Sequence, residues 1–363
     1  MEYVQERIAT LHDLTGPTPE APVDRAAVVV PMTERELAGL APERTLAALE
    51  EVDPARVVVP LRAPAERVGA FRDWLAGFDL PLTLLWCNAP QVEELLADHG
   101  LDAPAGKGRD VWLGLGLAAR EEFVALHDAD VKSYDASHVP RLLAPLSGSG
   151  FAFSKGYYAR VENGRLYGRL LRLFYEPLVA ALRDRHDAPV LEYLDAFRYA
   201  LAGEMGFTAE LARELRLQPS WGLEVGVLGE TFELAGFEGS VQVDLGVHEH
   251  DHRAVGGATG LAGMSEHVAN ALFGVLAERG IEPEFDGLPE RYRASAERFV
   301  RGYAADAAFN GLEYDPEDER SQVDTYAEAI VPAEGDLRLP AWSGTSLEPA
   351  DVVRASDRAL DTL

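Results

Sequence analysis

Residues 123–130 read Phe123-Val124-Ala125-Leu126-His127-Asp128-Ala129-Asp130, an apolar run that ends in two carboxylates one residue apart. The run predicts a short buried strand, and open α/β sheets bind their ligands at the carboxyl ends of such strands. Spacing of two places both carboxylates on one side of an extended chain, where they can share a divalent cation. A solvated turn at the end of a strand gives the same pattern, so the neighbouring segments decide between the two interpretations.

Three further strands are predicted before this run, and helical patterns separate all four. The strands are predicted at Val28–Pro31, Arg56–Pro60, Leu82–Cys87 and Phe123–His127, and helices at 46–51 (the end of one), 65–77, 91–98 and 106–120. Four strands alternating with helices predict a parallel, doubly wound α/β sheet.

The remaining segments are less regular. Apolar positions at Val4, Ile8, Leu11 and Leu14 predict an amphipathic N-terminal helix. Downstream, we predict strands at 151–160 and 241–247, with a two-residue hairpin turn at Asn163-Gly164. Helices are predicted at 169–185, 191–201, 208–217, 264–279 and 289–307, with a loop at 256–260. A further apolar helix is predicted after the segment 221–226 and runs to about residue 236. Beyond residue 315 the acidic, turn-rich sequence predicts no definite structure.

The charge balance is unusual: 61 acidic residues against 33 lysines and arginines give a formal charge of −28 over 363 residues. The lysines are Lys107, Lys132 and Lys155 alone. The acids are spread along the chain, which favours a protein of salt-loving cells over one that binds a basic partner. Nucleic-acid binding through a basic surface is disfavoured.

Other features of composition favour a cytoplasmic protein. Because there is no apolar run of about 18 residues, we expect no membrane span. The acidic amphipathic N-terminus fits neither a signal nor a transit peptide. A single cysteine, Cys87, cannot form an intramolecular disulfide and is compatible with a reducing compartment.

Several polar residues are candidates for a site that binds phosphates and a metal. Lys107 lies between two glycines, which let a backbone approach a phosphate; a solvated loop lysine is the alternative. Alternating imidazoles at 248, 250 and 252 can complete a metal site begun by carboxylates, or lie in a surface turn. Glu224 suits an active-site carboxylate or a helix N-terminal acid.

Basic side chains concentrate on either side of the predicted hairpin, at Lys155, Arg160, Arg165 and Arg169. A small anionic acceptor suits such a cluster, because phosphate and carboxylate oxygens form charge-assisted hydrogen bonds with lysine and arginine. In an acidic protein the same residues can also form ordinary salt bridges.

Six motifs then occur in an order that is similar to that of a known family. They are Pro31-Met32-Thr33-Glu34, Gly106-Lys107-Gly108, Asp128-Ala129-Asp130, Leu201-Ala202-Gly203-Glu204, Trp221-Gly222-Leu223-Glu224-Val225-Gly226 and Leu245-Gly246-Val247-His248-Glu249-His250. From about residue 28 to residue 277 the chain resembles the glucosyl-3-phosphoglycerate synthase family of retaining glycosyltransferases. The resemblance implies a GT-A fold with a mainly parallel sheet, a C-terminal helical extension, a divalent cation (Mg²⁺ or Mn²⁺), a homodimer and a compatible-solute product.

The resemblance also implies roles for individual residues. Asp130 and His250 would bind the cation, and Glu224 would be the active-site carboxylate. The nucleotide-sugar-binding residues would be Pro31, Met32, Thr33, Glu34, Lys107 and Asp128. The acceptor-binding residues would be Lys155, Gly168, Arg169, Ala202, Gly203, His248 and His252. The chain would divide into an N-terminal helix and linker (1–20), a nucleotide-sugar-binding half (21–135), an acceptor-binding and metal-completing half (136–280) and a C-terminal extension (281–363).

The predicted activity is transfer of glucose from a nucleotide-diphosphate sugar, UDP-glucose or a GDP-sugar, to 3-phosphoglycerate or a similar small anionic acceptor. Three departures from the family leave the acceptor open: Leu171 replaces a threonine, His248 replaces an arginine, and Arg62 lies where small polar residues are usual. Alternatives are a mannosyl-3-phosphoglycerate synthase-like transferase and a non-catalytic nucleotide-sugar-binding protein. A polyprenyl-phosphate transferase is disfavoured, because no basic amphipathic helix is present to dock on a membrane.

Overall fold

A mixed, mostly parallel sheet forms the centre of the protein. The computed structural model describes residues 5–14, 16–250, 260–333 and 335–363. Its strands are β1 (Ala9–Leu11), β2 (Ala26–Val29), β3 (Met32–Thr33), β4 (Arg56–Arg62), β5 (Leu82–Trp86), β6 (Phe123–Leu126), β7 (Phe153–Glu162), β8 (Arg165–Leu166), β9 (Met205–Thr208) and β10 (Ser240–His248). Their order is β1-β10-β7-β9-β6-β2-β4-β3, with β5 beside β4 and β8 beside β7.

The four strands predicted in the first half are confirmed as parallel neighbours: β2 pairs with β4 and β6, and β4 pairs with β5. Val29 lies opposite Leu126. The residues that follow β2 and those that follow β6 therefore leave the sheet at the same edge, which is where open α/β sheets bind ligands.

The antiparallel strand β9 brings distant segments to this edge. It lies between β6 and β7, with Met205 opposite both Leu126 and Lys155. Because β9 runs in the opposite direction, the residues that precede it meet the residues that follow β6. Beyond β7, the parallel strand β10 places His248 opposite Arg160.

Helices cover the sheet. They are α1 (Leu40–Val52), α2 (Ala65–Leu75), α3 (Pro90–Asp98), α4 (Lys107–Ala118), α5 (His138–Leu143), α6 (Glu176–Arg183), α7 (Pro189–Asp195), α8 (Ala209–Glu214), α9 (Leu223–Leu234), α10 (Leu261–Ala277), α11 (Leu288–Asn310), α12 (Pro316–Ala327) and α13 (Pro349–Leu360). In the described part of the chain, no helix is long and apolar enough to cross a membrane.

The prediction of an N-terminal helix was wrong, because Ala9–Leu11 is strand β1, parallel to β10. Ile8 and Thr10 are fully buried, and Thr10 Oγ1 accepts a hydrogen bond of 2.9 Å from the Gln242 side chain. Burial at alternate positions is the pattern of a strand. The segment is so short that its apolar spacing fits both the helical period of about 3.6 residues and the strand period of about 2.

Two helices in the middle of the chain also differ from expectation. The helix predicted at 169–185 begins as a π-helical turn, Leu170–Tyr175, before α6. The helix predicted at 191–201 ends at Asp195, because the Arg198 backbone N–H bonds the Gln242 side chain (2.8 Å) and turns the chain towards β10. The hairpin turn is confirmed: Asn163 and Gly164 both have positive φ, at 50° and 71°, as a type I′ turn requires.

The C-terminal region, where sequence predicted no definite structure, is helical and packed. The helix α13 contacts α3, α4 and β5, and Ser356 Oγ accepts a 2.9 Å hydrogen bond from the Trp86 backbone N–H. Trp342 stacks on Trp112 of α4, with ring centroids 4.2 Å apart. Each indole N–H of this stacked pair also donates to backbone on the other side, Trp112 to Pro340 and Trp342 to Trp112 itself.

Candidate active site

Two connected hollows lie at the carboxyl edge of β2, β4 and β6. The larger, called the cleft below, has a volume of about 750 Å³, and the smaller, called the recess, about 170 Å³. Both are lined by Thr33, Arg62, Lys107, Asp130 and Trp221. Of the predicted nucleotide-sugar-binding residues, the cleft adds Glu34, and the recess adds Pro31, Met32 and Asp128.

Lys107 joins two carboxylates at the junction of the hollows. Its Nζ lies 2.6 Å from Asp128 Oδ1 and 3.0 Å from Glu224 Oε1, and all three side chains are largely buried. Burial works against the charge of Lys107, but the two carboxylates outweigh it and raise the lysine pKa. The structure therefore brings together the predicted nucleotide lysine, the predicted nucleotide aspartate and the predicted catalytic glutamate.

The glycines that flank Lys107 explain how this contact forms. A Cβ at Gly106 would overlap the carbonyl oxygen of Pro219, and one at Gly108 would overlap that of Gln218. The Arg109 backbone N–H also donates to Pro219, at 3.1 Å. The sequence predicted that these glycines let a phosphate come close to the backbone. In the structure, the segment of the protein just before α9 comes close to them instead. This contact fixes α4 against α9, the helix that carries Glu224.

Asp130 and His250, the two residues predicted to bind a cation, lie side by side. Val131 and His250 form a β-bridge, and the Lys132 backbone N–H donates to Glu249 at 2.7 Å, so the segments after β6 and β10 run together. His250 Nδ1 is 3.5 Å from Asp130 Oδ1.

The electrostatics of this pair suit a cation. Burial opposes ionisation of Asp130, but the hydrogen bond and charge of His250, with the charges of Lys107 and Arg160, outweigh it and lower the Asp130 pKa. Asp130 remains 47% exposed at the cleft, so one carboxylate and one imidazole face a space with room for further oxygen ligands. This donor set fits Mg²⁺ or Mn²⁺. No cluster of three or more potential protein ligands occurs within residues 5–14, 16–250, 260–333 and 335–363.

The segment before β9 lies against Asp128. A Cβ at Gly203 would lie 2.6 Å from Asp128 Cγ, so glycine alone fits beside this carboxylate. The next residue, Glu204, is fully buried, and burial together with the charge of Asp128 raises its pKa. The sequence gives no signal that Glu204 lies close to Asp128, because that proximity results from the antiparallel pairing of β9 with β6.

Lys155 is buried beneath the same group of residues. Its Nζ donates to the carbonyl oxygen of Ala202, at 2.7 Å. Burial lowers the pKa of Lys155 to about 8, against the opposing effects of Glu224 and Glu204. Three of the predicted acceptor-binding residues, Lys155, Ala202 and Gly203, are thereby brought together.

Arg169, in contrast, is engaged by the C-terminal region. Its Nε donates to Glu319 Oε1 of α12, at 2.9 Å, and its Nη2 to Asp318. Glu319, only 3% exposed, also pairs with Arg172 at 3.0 Å. The positive charge of Arg169 is therefore paired with carboxylates of the protein itself.

His248 is also committed elsewhere. It is 1% exposed, its ring stacks on Tyr158 at 3.8 Å, and its Nε2 lies 3.0 Å from His138 Nε2. Burial and the neighbouring histidines lower the His248 pKa to about 2, so its ring is neutral at pH 7. The prediction for His252 lies outside the described residues.

Sequence reasoning missed one pair in the recess. Arg62 Nε donates to Asp110 Oδ2 at 2.8 Å, and the Asp110 side chain is 3% exposed. Burial raises the pKa of Asp110 to about 6, although Arg62 opposes this. The sequence offered one sign of this pair, because Arg62 departs from the family pattern. Asp110 lies inside an apolar helical pattern, which does not indicate a buried ion pair.

Two curated proteins of one family are similar to this chain over most of its length. The chain is 32% identical to glucosyl-3-phosphoglycerate synthase of Methanococcoides burtonii, over 94% of this chain and 93% of that protein. It is 36% identical to the enzyme of the same name from Persephonella marina, over 78% and 74% respectively. No protein-family model matches the chain.

A solved structure gives the same architecture. The glucosyl-3-phosphoglycerate synthase of Mycobacterium tuberculosis, in complex with Mn²⁺, UDP-glucose and phosphoglyceric acid, superposes with a TM-score of 0.54 at 23% identity. The match covers 76% of this chain and 89% of that one. This likeness confirms the predicted GT-A fold.

Proposed function

The chain belongs to the glucosyl-3-phosphoglycerate synthase family, and from this premise we propose that it transfers glucose from UDP-glucose to 3-phosphoglycerate. The observation that carries the proposal is the contact of Lys107 with Asp128 and Glu224, beside the Asp130–His250 pair, at the mouth of the cleft. A cation, a lysine and a shielded carboxylate are what departure of a nucleoside diphosphate requires.

Asp130 and His250 would hold the divalent cation. Bound there, Mg²⁺ or Mn²⁺ supplies a Lewis acid that neutralises charge on the leaving diphosphate. Lys107 adds a second positive charge on the same side, and the residues after β2 line the recess where the nucleoside is expected. Asp128 holds Lys107 in position with a contact of 2.6 Å.

Glu224 has the surroundings of an orienting carboxylate. Its side chain is 9% exposed and shares the ammonium of Lys107 with Asp128. Because an ion-paired carboxylate is a weaker nucleophile, we assign Glu224 the positioning of the sugar or the acceptor hydroxyl in front-face retaining transfer.

The decisive experiment measures nucleotide release from UDP-glucose with 3-phosphoglycerate and Mg²⁺ or Mn²⁺ at high salt, with GDP-glucose and GDP-mannose as alternative donors. We expect Asp130→Ala to abolish metal-dependent transfer, while Asp73→Ala, at an exposed position on α2, retains it. Full metal-dependent turnover by Asp130→Ala would refute the assignment. Donor binding without transfer to any acceptor would favour a nucleotide-sugar-binding protein.

Four broader expectations remain proposals. We place the donor half at residues 21–135 and the acceptor half at 136–280, and we propose a homodimer, a cytoplasmic location in salt-loving cells and a compatible-solute product. The formal charge of −28 supports the saline setting, because dense counterions screen such repulsion. Sedimentation at low and high salt tests the dimer and its salt dependence together.

A further inference from the structure

Four basic residues flank the β7–β8 hairpin, and the protein itself engages three of them. Lys155 donates to the Ala202 carbonyl. Arg165 forms an exposed salt bridge of 2.6 Å with Glu313. Arg169 is held by two acidic side chains of α12.

The fourth, Arg160, is different. It is partly buried, and within the described ranges no carboxylate lies inside 4.0 Å of its guanidinium. Its Nε is buried without a hydrogen-bond partner. A buried guanidinium nitrogen without an acceptor is costly, and an anionic ligand placed there would satisfy it.

The position of Arg160 is beside the metal pair. Arg160 lies opposite His248 in the β7–β10 ladder. His248 is two residues before His250, the predicted metal ligand. Its positive charge is among those that lower the pKa of Asp130, after the larger effects of burial and His250. An anion bound by Arg160 therefore lies near the cation site and on the β7 side of it.

Gly168 and Tyr199 form the wall around this guanidinium. A Cβ on Gly168 would lie 2.7 Å from Tyr199 Oη and 3.7 Å from Arg160 Cδ, so glycine makes room for both side chains. Tyr199 in turn packs on Tyr158, with centroids 4.6 Å apart. The Tyr199 side chain also hydrogen-bonds the Arg160 guanidinium. The neutral hydroxyl holds Arg160 in place without neutralising its charge, and Nε is still left without an acceptor.

The carboxyl groups of the site favour a positively charged side chain on the side where the acceptor binds. Asp128, Asp130, Glu204 and Glu224 place four carboxyl groups around the reaction centre. An acceptor that carries both a phosphate and a carboxylate would be repelled unless a positive group on its own side received it.

We infer that Arg160 binds an anionic group of the acceptor, phosphate or carboxylate, and that it takes the role that resemblance assigns to Arg169. The inference rests on the proposed function. The planar guanidinium can receive either oxyanion through two parallel hydrogen bonds, which fixes the acceptor as well as attracting it.

The test compares Arg160→Gln and Arg160→Lys with Arg165→Gln, which removes an exposed arginine from the same hairpin. Acceptor KM, donor KM, kcat and melting temperature are measured for each. We expect Arg160→Gln to raise the acceptor KM about 10- to 100-fold, the range for losing a hydrogen bond between charged groups. Arg160→Lys should recover part of this, and Arg165→Gln should leave it unchanged.

Two acceptor analogues identify the group that Arg160 binds. Glycerol 3-phosphate carries only the phosphate, and glycerate only the carboxylate. A KM effect of Arg160→Gln confined to one analogue supports the inference and assigns that group. Equal donor KM in all variants distinguishes acceptor binding from general damage to the site.

The inference and the proposed function fail in different ways. An enzyme that transfers glucose to 3-phosphoglycerate, with the same acceptor KM in wild type and Arg160→Gln, overturns the role of Arg160 alone. Absence of transfer by the wild type overturns the proposed function. In that case calorimetric titration with 3-phosphoglycerate still decides the role of Arg160: binding lost in Arg160→Gln supports it, and equal or absent binding in both proteins overturns it.

Discussion

The Nζ atom of Lys107 lies 3.0 Å from Oε1 of Glu224, although 117 residues separate them in sequence. The same ammonium lies 2.6 Å from Asp128. One lysine therefore holds together the first turn of α4, the first turn of α9 and the segment after β6.

We expect Lys107→Met to damage both stability and activity, because it leaves two largely buried carboxylates without a counter-charge. The free energy of unfolding should fall by about 2–3 kcal/mol, and turnover by at least about 100-fold, the effect of removing one electrostatic stabiliser. Urea denaturation and nucleotide release measure the two effects. Arg25→Met, which removes an exposed pair with Glu122, is the control and should cost less than about 1 kcal/mol. Similar losses in both variants would contradict the prediction.

The pH dependence of acceptor binding should report Lys155. Burial lowers its pKa to about 8, so this lysine is cationic below pH 8 and loses its charge as the pH rises through that value. Lys155 supports the acceptor side through its hydrogen bond to the Ala202 carbonyl and through its positive charge beneath the site. We therefore expect the acceptor KM to rise roughly 10-fold between pH 7 and pH 9.5, the size of one charge-assisted interaction. Lys155→Arg keeps its charge throughout and should flatten the profile. Identical profiles for wild type and Lys155→Arg would exclude Lys155 as the cause.

Asp110 should make the protein less stable as the pH rises. Burial raises its pKa to about 6, so between pH 4 and pH 6 the folded state binds more protons than the unfolded state. Stability contributed by this group is therefore present at the lower pH and is lost towards pH 6. We expect wild type to lose roughly 3 kcal/mol across this interval relative to Asp110→Asn, from about two pKa units. Urea midpoints at pH 4.5, 5.5 and 6.5 measure this; parallel curves would refute it.

Gly203→Ala should weaken donor binding without a matching loss of helix or sheet stability. The added Cβ would lie 2.6 Å from Asp128 Cγ, so the carboxylate that holds Lys107 has to move. We expect the donor KM to rise by about 10-fold or more, as a displacement of about 1 Å near a reacting group does. Gly69→Ala on α2 meets no atom within 4 Å and should be neutral or stabilising by up to about 1 kcal/mol. A donor KM unchanged in Gly203→Ala would contradict this role.

Local patterns predicted the donor half of the fold well. The strands β2, β4, β5 and β6 are apolar runs bounded by helical periods, and a parallel pairing follows from that alternation. The N-terminal segment failed because three residues are too few to separate a strand from a helix by periodicity. Ile8 and Thr10 are buried, and the strand that pairs with β1 is β10, more than 200 residues away, which no local pattern reveals.

The candidate site shows the same division. Asp130 and His250 were predicted as a pair and lie together, since both follow strands that end at one edge. The roles of Arg160 and Arg169 were not separable from sequence, because both are arginines beside one hairpin. What distinguishes them is that Arg169 pairs with Asp318 and Glu319, which are 149 and 150 residues away in sequence.

The stacked indoles of Trp112 and Trp342 have a consequence for synthesis of the chain. Their partnership spans 230 residues, which at about 5–20 residues per second is a delay of roughly 10–50 s on the ribosome. Throughout that interval the helix that carries Lys107 has already emerged, with the face of Trp112 bare and available to chaperones. The helix α4, which carries Lys107, is thus synthesised early, but Trp342 and α13 pack against it only after they have been synthesised.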